Sequence, residues 1–350
     1  MMASIFSVGS PGRIITRRTF LRASVGGMVL IALGSTGCQR STPAVLPSPL
    51  PNGAPLFPQK GCLHAAVISD QYPQMNDVTR YETLMGKKLA GSVWFHSCMD
   101  FALPHERFNA LGARVPIVKW GWHGDLDSFV KELGGGLHDD DIEKMAVEAR
   151  DWKKPMIVIP FYEPNDMTHP WSGHALGGQE DRNRNGKADG PDQYIQTFNR
   201  VASIFKKVGA QNVKFAWIVN WESNPKAAWN DLENYYPDQC DYVGFDFFNG
   251  AHLPVKPPEQ IIKELVDRLR KYEKPILIGE VGVSEGGVNK SKWIREFFDA
   301  LKKFPEIKLF VWFDEAKEAD WQWASSDASL KAAQAGLQDP WIVEDFSVNP

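Results

Sequence analysis

Cysteine is scarce in this chain: four residues among 350, at positions 38, 62, 98 and 240. Cys38 falls in a leader described below, which leaves an odd three, and no disulfide framework is assigned. An excess of basic residues is missing too. The 39 Lys+Arg against 43 Asp+Glu give a formal net charge of -4 and a pI near 6.1, which offers nothing to a phosphate backbone and excludes nucleic acid as a partner. No repeat with a period of roughly 20–50 residues is visible beyond an alternation of strands and helices. His169 and His174 stand in a loop that also holds Gly173, Gly177 and Gly178; they share no helical face and make a poor zinc pattern. What the chain has in quantity is tryptophan, 13 residues within an aromatic content of 12%. That supply suits either a large aromatic core or flat apolar faces with an N–H handle, of the kind that sugar rings stack on.

The first 40 residues read as targeting sequence. Thr16-Arg17-Arg18-Thr19-Phe20-Leu21-Arg22 resembles a twin-arginine export signal, and the apolar stretch Val25 to Gly37 is too short to span a membrane. Thr36-Gly37-Cys38 resembles the end of a lipoprotein signal, with Cys38 as the acylated residue, although Ser35 departs from the large aliphatic residue usual before it. Residues 41–60 carry Pro43, Pro47, Pro49, Pro51, Pro55 and Pro58, which cannot ladder or continue a helix and read as a semi-rigid tether. The expectation is an exported protein, periplasmic or at the cell surface, attached to the membrane if Cys38 is lipidated, and acting as a monomer.

From residue 61 to 350 short apolar runs alternate with segments of helical period. The strand candidates are His64–Asp70, Gly91–Asp100, Val115–Trp122, Met156–Glu163, Val213–Asn220, Tyr242–Asn249, Pro275–Gly282 and Ile307–Asp314. The helix candidates are Val78–Lys88, Pro104–Leu111, Asp140–Trp152, Gln193–Val208, Ala227–Tyr236, Pro258–Tyr272, Ser291–Phe304 and Ser326–Leu337. Eight strands, each followed by a helix, predict an α/β fold, a (β/α)8 TIM barrel forming one domain. The acidic, aromatic stretch Trp341–Pro350 has no evident place.

In such a barrel the carboxyl ends of the strands form the site. Those ends supply Asp70, His96, Asp100, Trp120, Trp122, His123, Glu163, Asn220, Trp221, Glu222, Asp246, Glu280, Trp312 and Asp314. Acids and indoles on one rim are what glycosidic cleavage requires: one carboxyl protonates the leaving oxygen while the other attacks or activates water. Glu163 and Glu280 end the fourth and seventh strands, which face one another across the mouth, and each follows a rigid apolar run. Asp246, Glu222 and Asp314 are the rival acids. Trp120, Trp122, Trp171, Trp221 and Trp312 are the stacking candidates, Trp312 foremost; His96 and His123 read as sugar contacts or as supports.

The sequence resembles glycoside hydrolase family 26, a family of retaining (β/α)8 barrels that includes β-mannanases and mixed-linkage β-glucanases. The matching pieces are Tyr162-Glu163-Pro164-Asn165 with Trp171, the stretch from Tyr194 to Asn220, Tyr235-Tyr236-Pro237, Asp241 to Asp246, Lys274 to Gly282 and Lys292-Trp293-Ile294. The resemblance implies Glu163 as acid/base and Glu280 as nucleophile, acting by double displacement without a catalytic cofactor. It places Tyr162, Asn165, Asp246 and Phe248 against a polysaccharide or oligosaccharide substrate. Three positions depart from the family pattern: Tyr162 and Ile159 stand where it has His and Arg, and Phe248 where it has Tyr. The mechanism predicts carboxyls about 5–5.5 Å apart and a Glu163 protonated because burial and a neighbouring charge raise its pKa.

A second motif lies in the loop 181–192. Asp181, Asn183, Asn185, Asp189 and Asp192 fall at positions 1, 3, 5, 9 and 12 of a calcium-type loop, with Gly186 at 6 and Lys187 at 7. The expectation is a structural Ca2+ beside Trp171.

Overall fold

The computed structural model describes residues 57–68, 73–97, 100–121, 129–250, 255–344 and Phe346. Cys38, Asp70, Cys98, Trp122 and His123 lie outside the described residues, as do the leader and most of the tether.

The described chain forms eight parallel strands: β1 (Cys62–Val67), β2 (Gly91–Ser97), β3 (Val115–Gly121), β4 (Met156–Pro160), β5 (Val213–Asn220), β6 (Tyr242–Asn249), β7 (Ile276–Val283) and β8 (Ile307–Phe313). They pair in chain order, and β8–β1 and β1–β2 close the ring. Helices α1 (Met75–Met85), α2 (His105–Ala110), α3 (Asp139–Trp152), α4 (Asp189–Lys207), α5 (Pro258–Leu269), α6 (Lys290–Lys303) and α7 (Asp327–Leu337) lie in the crossovers. This is the expected (β/α)8 barrel.

The strands are apolar throughout because both faces are covered, and alternation sorts their side chains into two layers. Leu63, Ala65, Ile117, Ile157, Ile159, Ala216, Ile218, Leu277, Leu309 and Val311 fill the interior. The alternate residues, among them Trp94, Trp120, Val158, Trp217, Phe245 and Trp312, pack outward with Met145, Phe198, Leu265 and Phe297 of the helices. The floor is apolar as well. Phe57 meets Tyr242 edge to face at 4.5 Å and Phe346 at 6.1 Å, so the packed domain takes in the last residues assigned to the tether.

Several elements differ from expectation: β4 stops at Pro160, short of Glu163, and a π-helical turn, Phe129–Gly134, precedes α3. The helix expected over Ala227–Tyr236 is two 3-10 turns, Ala228–Asn230 and Leu232–Tyr235, separated by Asp231 in extended backbone, whose carboxylate caps Glu233 N–H. From the unplaced C-terminal stretch, a short strand β9 (Ile342–Val343) adds to β1 at Cys62 and Leu63.

Candidate active site

Glu280 reaches the barrel interior through an irregularity in β7. Phe245 pairs with Ile278 but Asp246 pairs with Glu280, so Gly279 is an extra residue in the register. Without that bulge, alternation would turn Glu280 outward like Ile276 and Ile278; with it, Glu280 faces the same side as Asp246. Only glycine fits there, since a Cβ at Gly279 would lie 2.4 Å from Asp246 Oδ1 and 2.8 Å from Ile218 Cγ2. Glu163 is placed by a different device. Phe161 and Glu163 both hold φ of 52°, in the left-handed region that side chains rarely adopt. Phe161 thereby swings outward onto Trp120 and Phe129, while Phe161 N–H still bonds Trp120 O and Glu163 N–H bonds Ile218 O. Backbone strain of this kind collects at functional sites.

At the centre is a residue the sequence analysis passed over. Lys119, on β3 and fully buried, donates to Glu280 Oε1 at 2.6 Å and to Asp246 Oδ2 at 2.9 Å, and its ammonium lies 4.8 Å from the Tyr162 ring centre. Its signal was present in the sequence: one charge inside the apolar run Val115–Trp120, where an unpaired ammonium would be costly. Burial pushes the lysine pKa down, and the charges of Asp246, Glu280 and Glu163 outweigh it, so the net shift is upward and the ammonium persists.

Asn220, Asp246 and Glu280 are register partners on β5, β6 and β7. Glu163 Oε1 accepts from Asn220 Nδ2 at 3.1 Å, and its Oε2 lies 3.0 Å from His169 Nε2. Asn165, buried, braces Asn220: its Nδ2 donates to Asn220 O at 2.8 Å and its Oδ1 accepts Asn220 N–H at 2.8 Å. It is thus a support for the site; the sugar contact expected of it is not available.

Lys119 bonds two of the three acids and its charge acts on the third, and their titrations separate. Burial raises the Asp246 pKa well above its ordinary value against the pull of Lys119. Burial also raises Glu280, which Lys119 opposes and the Glu163 charge reinforces. For Glu163 burial acts upward, but the His169 hydrogen bond and charge, with Lys119, bring the net shift below the usual value. This reverses the expectation of a raised Glu163: in the free protein it is held ionised.

The tryptophans need the largest correction. Trp120 and Trp312 belong to the outer layer, by the same alternation that points Lys119 and Val311 inward; Trp312 stacks on Trp323 at 3.5 Å and donates to Trp321 O. Neither can be a sugar platform. Trp171 is buried, lies parallel to His169 at 4.8 Å and donates to Tyr162 O, so it backs the imidazole. Trp221 is nearly buried, with Lys256 Nζ 4.4 Å from its ring centre. Half-buried Phe95, Tyr162 and Phe248 line the mouth instead, with Trp321 at 5.0 Å from Phe248. Asp246 is fully enclosed, below any sugar contact. Among the remaining rim residues, His96 points outward and bonds Asp100 O, Glu222 pairs with Lys226, and Asp314 accepts Trp323 N–H.

The loop 181–192 closes on itself. Asp181 accepts Asn185 and Gly186 N–H, Asn183 accepts Asn185 N–H, and Asn185 accepts Lys187 N–H. Asp189 accepts Arg182 N–H; Asp192 accepts from the Asn185 and Gln196 amides and lies 3.6 Å from Lys187 Nζ. Among the described residues no group of three or more His, Cys, Asp or Glu is arranged to hold a metal ion.

No family model matches the chain. Endoglucanase H of Acetivibrio thermocellus is 28% identical over 291 residues, covering 79% of this chain and 31% of that protein; the chain thus spans about a third of the length of this curated relative. Among solved structures it is similar to a GH26 β-mannanase from Bacteroides ovatus, with TM-score 0.55, 16% identity and coverage of 81% of this chain and 90% of that one. It is similar also to the Bacillus subtilis mannanase BCman, with TM-score 0.58, 17% identity and coverage of 83% and 89%. A third likeness is to the YdhT protein of Bacillus subtilis, with TM-score 0.58, 16% identity and coverage of 85% and 95%. At such identities the structures speak for the fold. In that fold, and in the motifs around Glu163 and Glu280, the chain resembles glycoside hydrolase family 26.

Proposed function

We propose that the barrel mouth is the active site of a retaining glycoside hydrolase that cleaves β-linked polysaccharide of the β-mannan or mixed-linkage β-glucan class, within the chain. The observation that carries this reading is that Glu163 and Glu280, from opposite sides of the barrel, face one charged cluster beneath an aromatic-lined mouth: Lys119 bonds Glu280, and its charge acts on Glu163 through space. Glu280 attacks the anomeric carbon and Glu163 protonates the leaving oxygen; water then reverses the step, with Glu163 as base. Against burial, His169, Lys119 and Asp246 together hold the Glu163 pKa low in the free protein; a bound sugar that breaks the His169 hydrogen bond and encloses the carboxyl further shifts the balance toward burial, which raises the pKa for proton donation. The endoglucanase name of the curated relative and the mannanase names of two structural neighbours support glucan and mannan as the substrate classes.

A panel of mannan, mixed-linkage glucan, cellulose and xylan, assayed for reducing ends with wild type, Glu163→Ala and Glu280→Ala, tests the reading, and NMR of the first product gives its anomeric form. Release of β-anomer that both variants abolish is expected; α-anomer as first product contradicts retention. The ionised Glu163 and the residues Ile159, Tyr162 and Phe248 favour a second reading, a carbohydrate-binding barrel without useful turnover, for which polymer binding without product is the outcome.

Export through the twin-arginine leader and anchoring at Cys38 are parts of the same proposal, tested by cell fractionation with Cys38→Ala. The spacing of Asp181, Asn183 and Asn185 around Gly186 supports calcium in the 181–192 loop; a melting temperature that rises with calcium in wild type and stays constant in Asp181→Ala is the expected result.

A further inference from the structure

The departure at Ile159 leaves the fourth strand without the arginine that the family pattern places there. In the β3–β4 register the partner of Ile159 is Lys119, and both side chains point into the barrel. We propose that Lys119 is the positioning residue for Glu280, holding one oxygen of its carboxylate from β3 across the barrel interior. The inference rests on the hydrolase reading of the mouth.

Three observations carry it. Lys119 is bonded to both acidic partners on the far strands, Glu280 on β7 and Asp246 on β6. Its stem runs through the apolar interior beside Ile117 and Ile159, so the head is aimed by packing and is shut off from bulk solvent. And the bulge at Gly279 that turns Glu280 inward turns it toward this ammonium. A carboxylate fixed by a short charge-assisted bond through one oxygen keeps the other free to attack.

Among the described residues, the ionisable groups around Glu280 are Lys119 on β3, Tyr162 and Glu163 just after β4, His169 in the loop that follows, Asp246 on β6 and Lys317 after β8. Lys119 is the cation in direct contact with Glu280; Lys317 acts through space. The sign follows: Glu280 acts ionised, Lys119 favours the ionised form, and removal of Lys119 raises the Glu280 pKa and moves the acid limb of kcat/KM to higher pH.

Lys119→Met alone strands two buried carboxylates and risks failing to fold. The test therefore compares Lys119→Met/Asp246→Asn with Asp246→Asn, and Lys119→Met/Ile159→Arg/Asp246→Asn with Lys119→Met/Asp246→Asn, on the polymer that wild type cleaves. Folding is checked by melting temperature. A kcat loss of roughly 10²-fold with an acid limb moved upward, and recovery of at least tenfold by arginine at 159, are expected. A folded Lys119→Met/Asp246→Asn that keeps the rate and acid limb of Asp246→Asn overturns the inference, as does a folded triple variant with arginine at 159 that is no better than Lys119→Met/Asp246→Asn. A failed hydrolase reading looks different: wild type itself then releases no product.

Discussion

The two ends of this barrel are made from the same eight strands and obey different rules. At the floor, Phe57, Tyr242 and Phe346 close the interior with aromatic edges and faces. At the mouth, the same inward positions carry Lys119, Asp246 and Glu280, the backbone takes left-handed turns at Phe161 and Glu163, and β7 is bulged. The floor stabilises by burying apolar area; the mouth spends stability on desolvated charge and strained backbone. The difference teaches where substitutions should separate stability from activity.

The largest effect is expected at the mouth. Glu280→Ala should lower kcat by roughly 10³-fold or more while the melting temperature moves little, because Lys119 keeps Asp246 as a partner; steady-state rates with a parallel melt check it. The comparison is sharpened from the other end by Phe57→Ala, which should cost about 3 kcal/mol of stability and leave kcat per folded molecule unchanged, as read by denaturant unfolding and active-site titration. A fall in kcat there would break the division between floor and mouth. Gly279→Ala should combine both effects at smaller size, about 1–3 kcal/mol from overpacking together with a lowered kcat, because its Cβ has to displace Asp246 or Ile218.

The smallest effect is a pH shift. His169 holds Glu163 below the ordinary carboxylate value. Since the acid must be protonated to act, the alkaline limb of kcat/KM reports its pKa. His169→Ala removes the downward influence, so that limb should move to higher pH; an unchanged limb would mean that Glu163 is not the acid.

The barrel was legible because burial on both faces wrote each strand as an apolar run bounded by turn residues. Val213–Asn220 and Tyr242–Asn249 fall where the sequence puts them. Glu163 and Glu280 were legible as acids ending such runs. Trp120 and Trp312 stand at strand ends, but the strand alternation turns both outward, away from the mouth. Lys119 could have been found as the lone charge of its strand. The flip at Phe161, by contrast, leaves no trace in residue type: an aromatic in the left-handed region is held by tertiary packing on Trp120 and Phe129. The role of His169 depends on a long loop folding back over Tyr162, which no local pattern announces.

The most direct test of the central claim is to incubate the protein with a 2-deoxy-2-fluoro glycoside of the sugar it cleaves and map the adduct by peptide mass. A glycosyl group on Glu280, absent in Glu280→Gln, is the predicted result. An adduct on another residue, or none from a protein that turns over its polymer normally, would contradict the account.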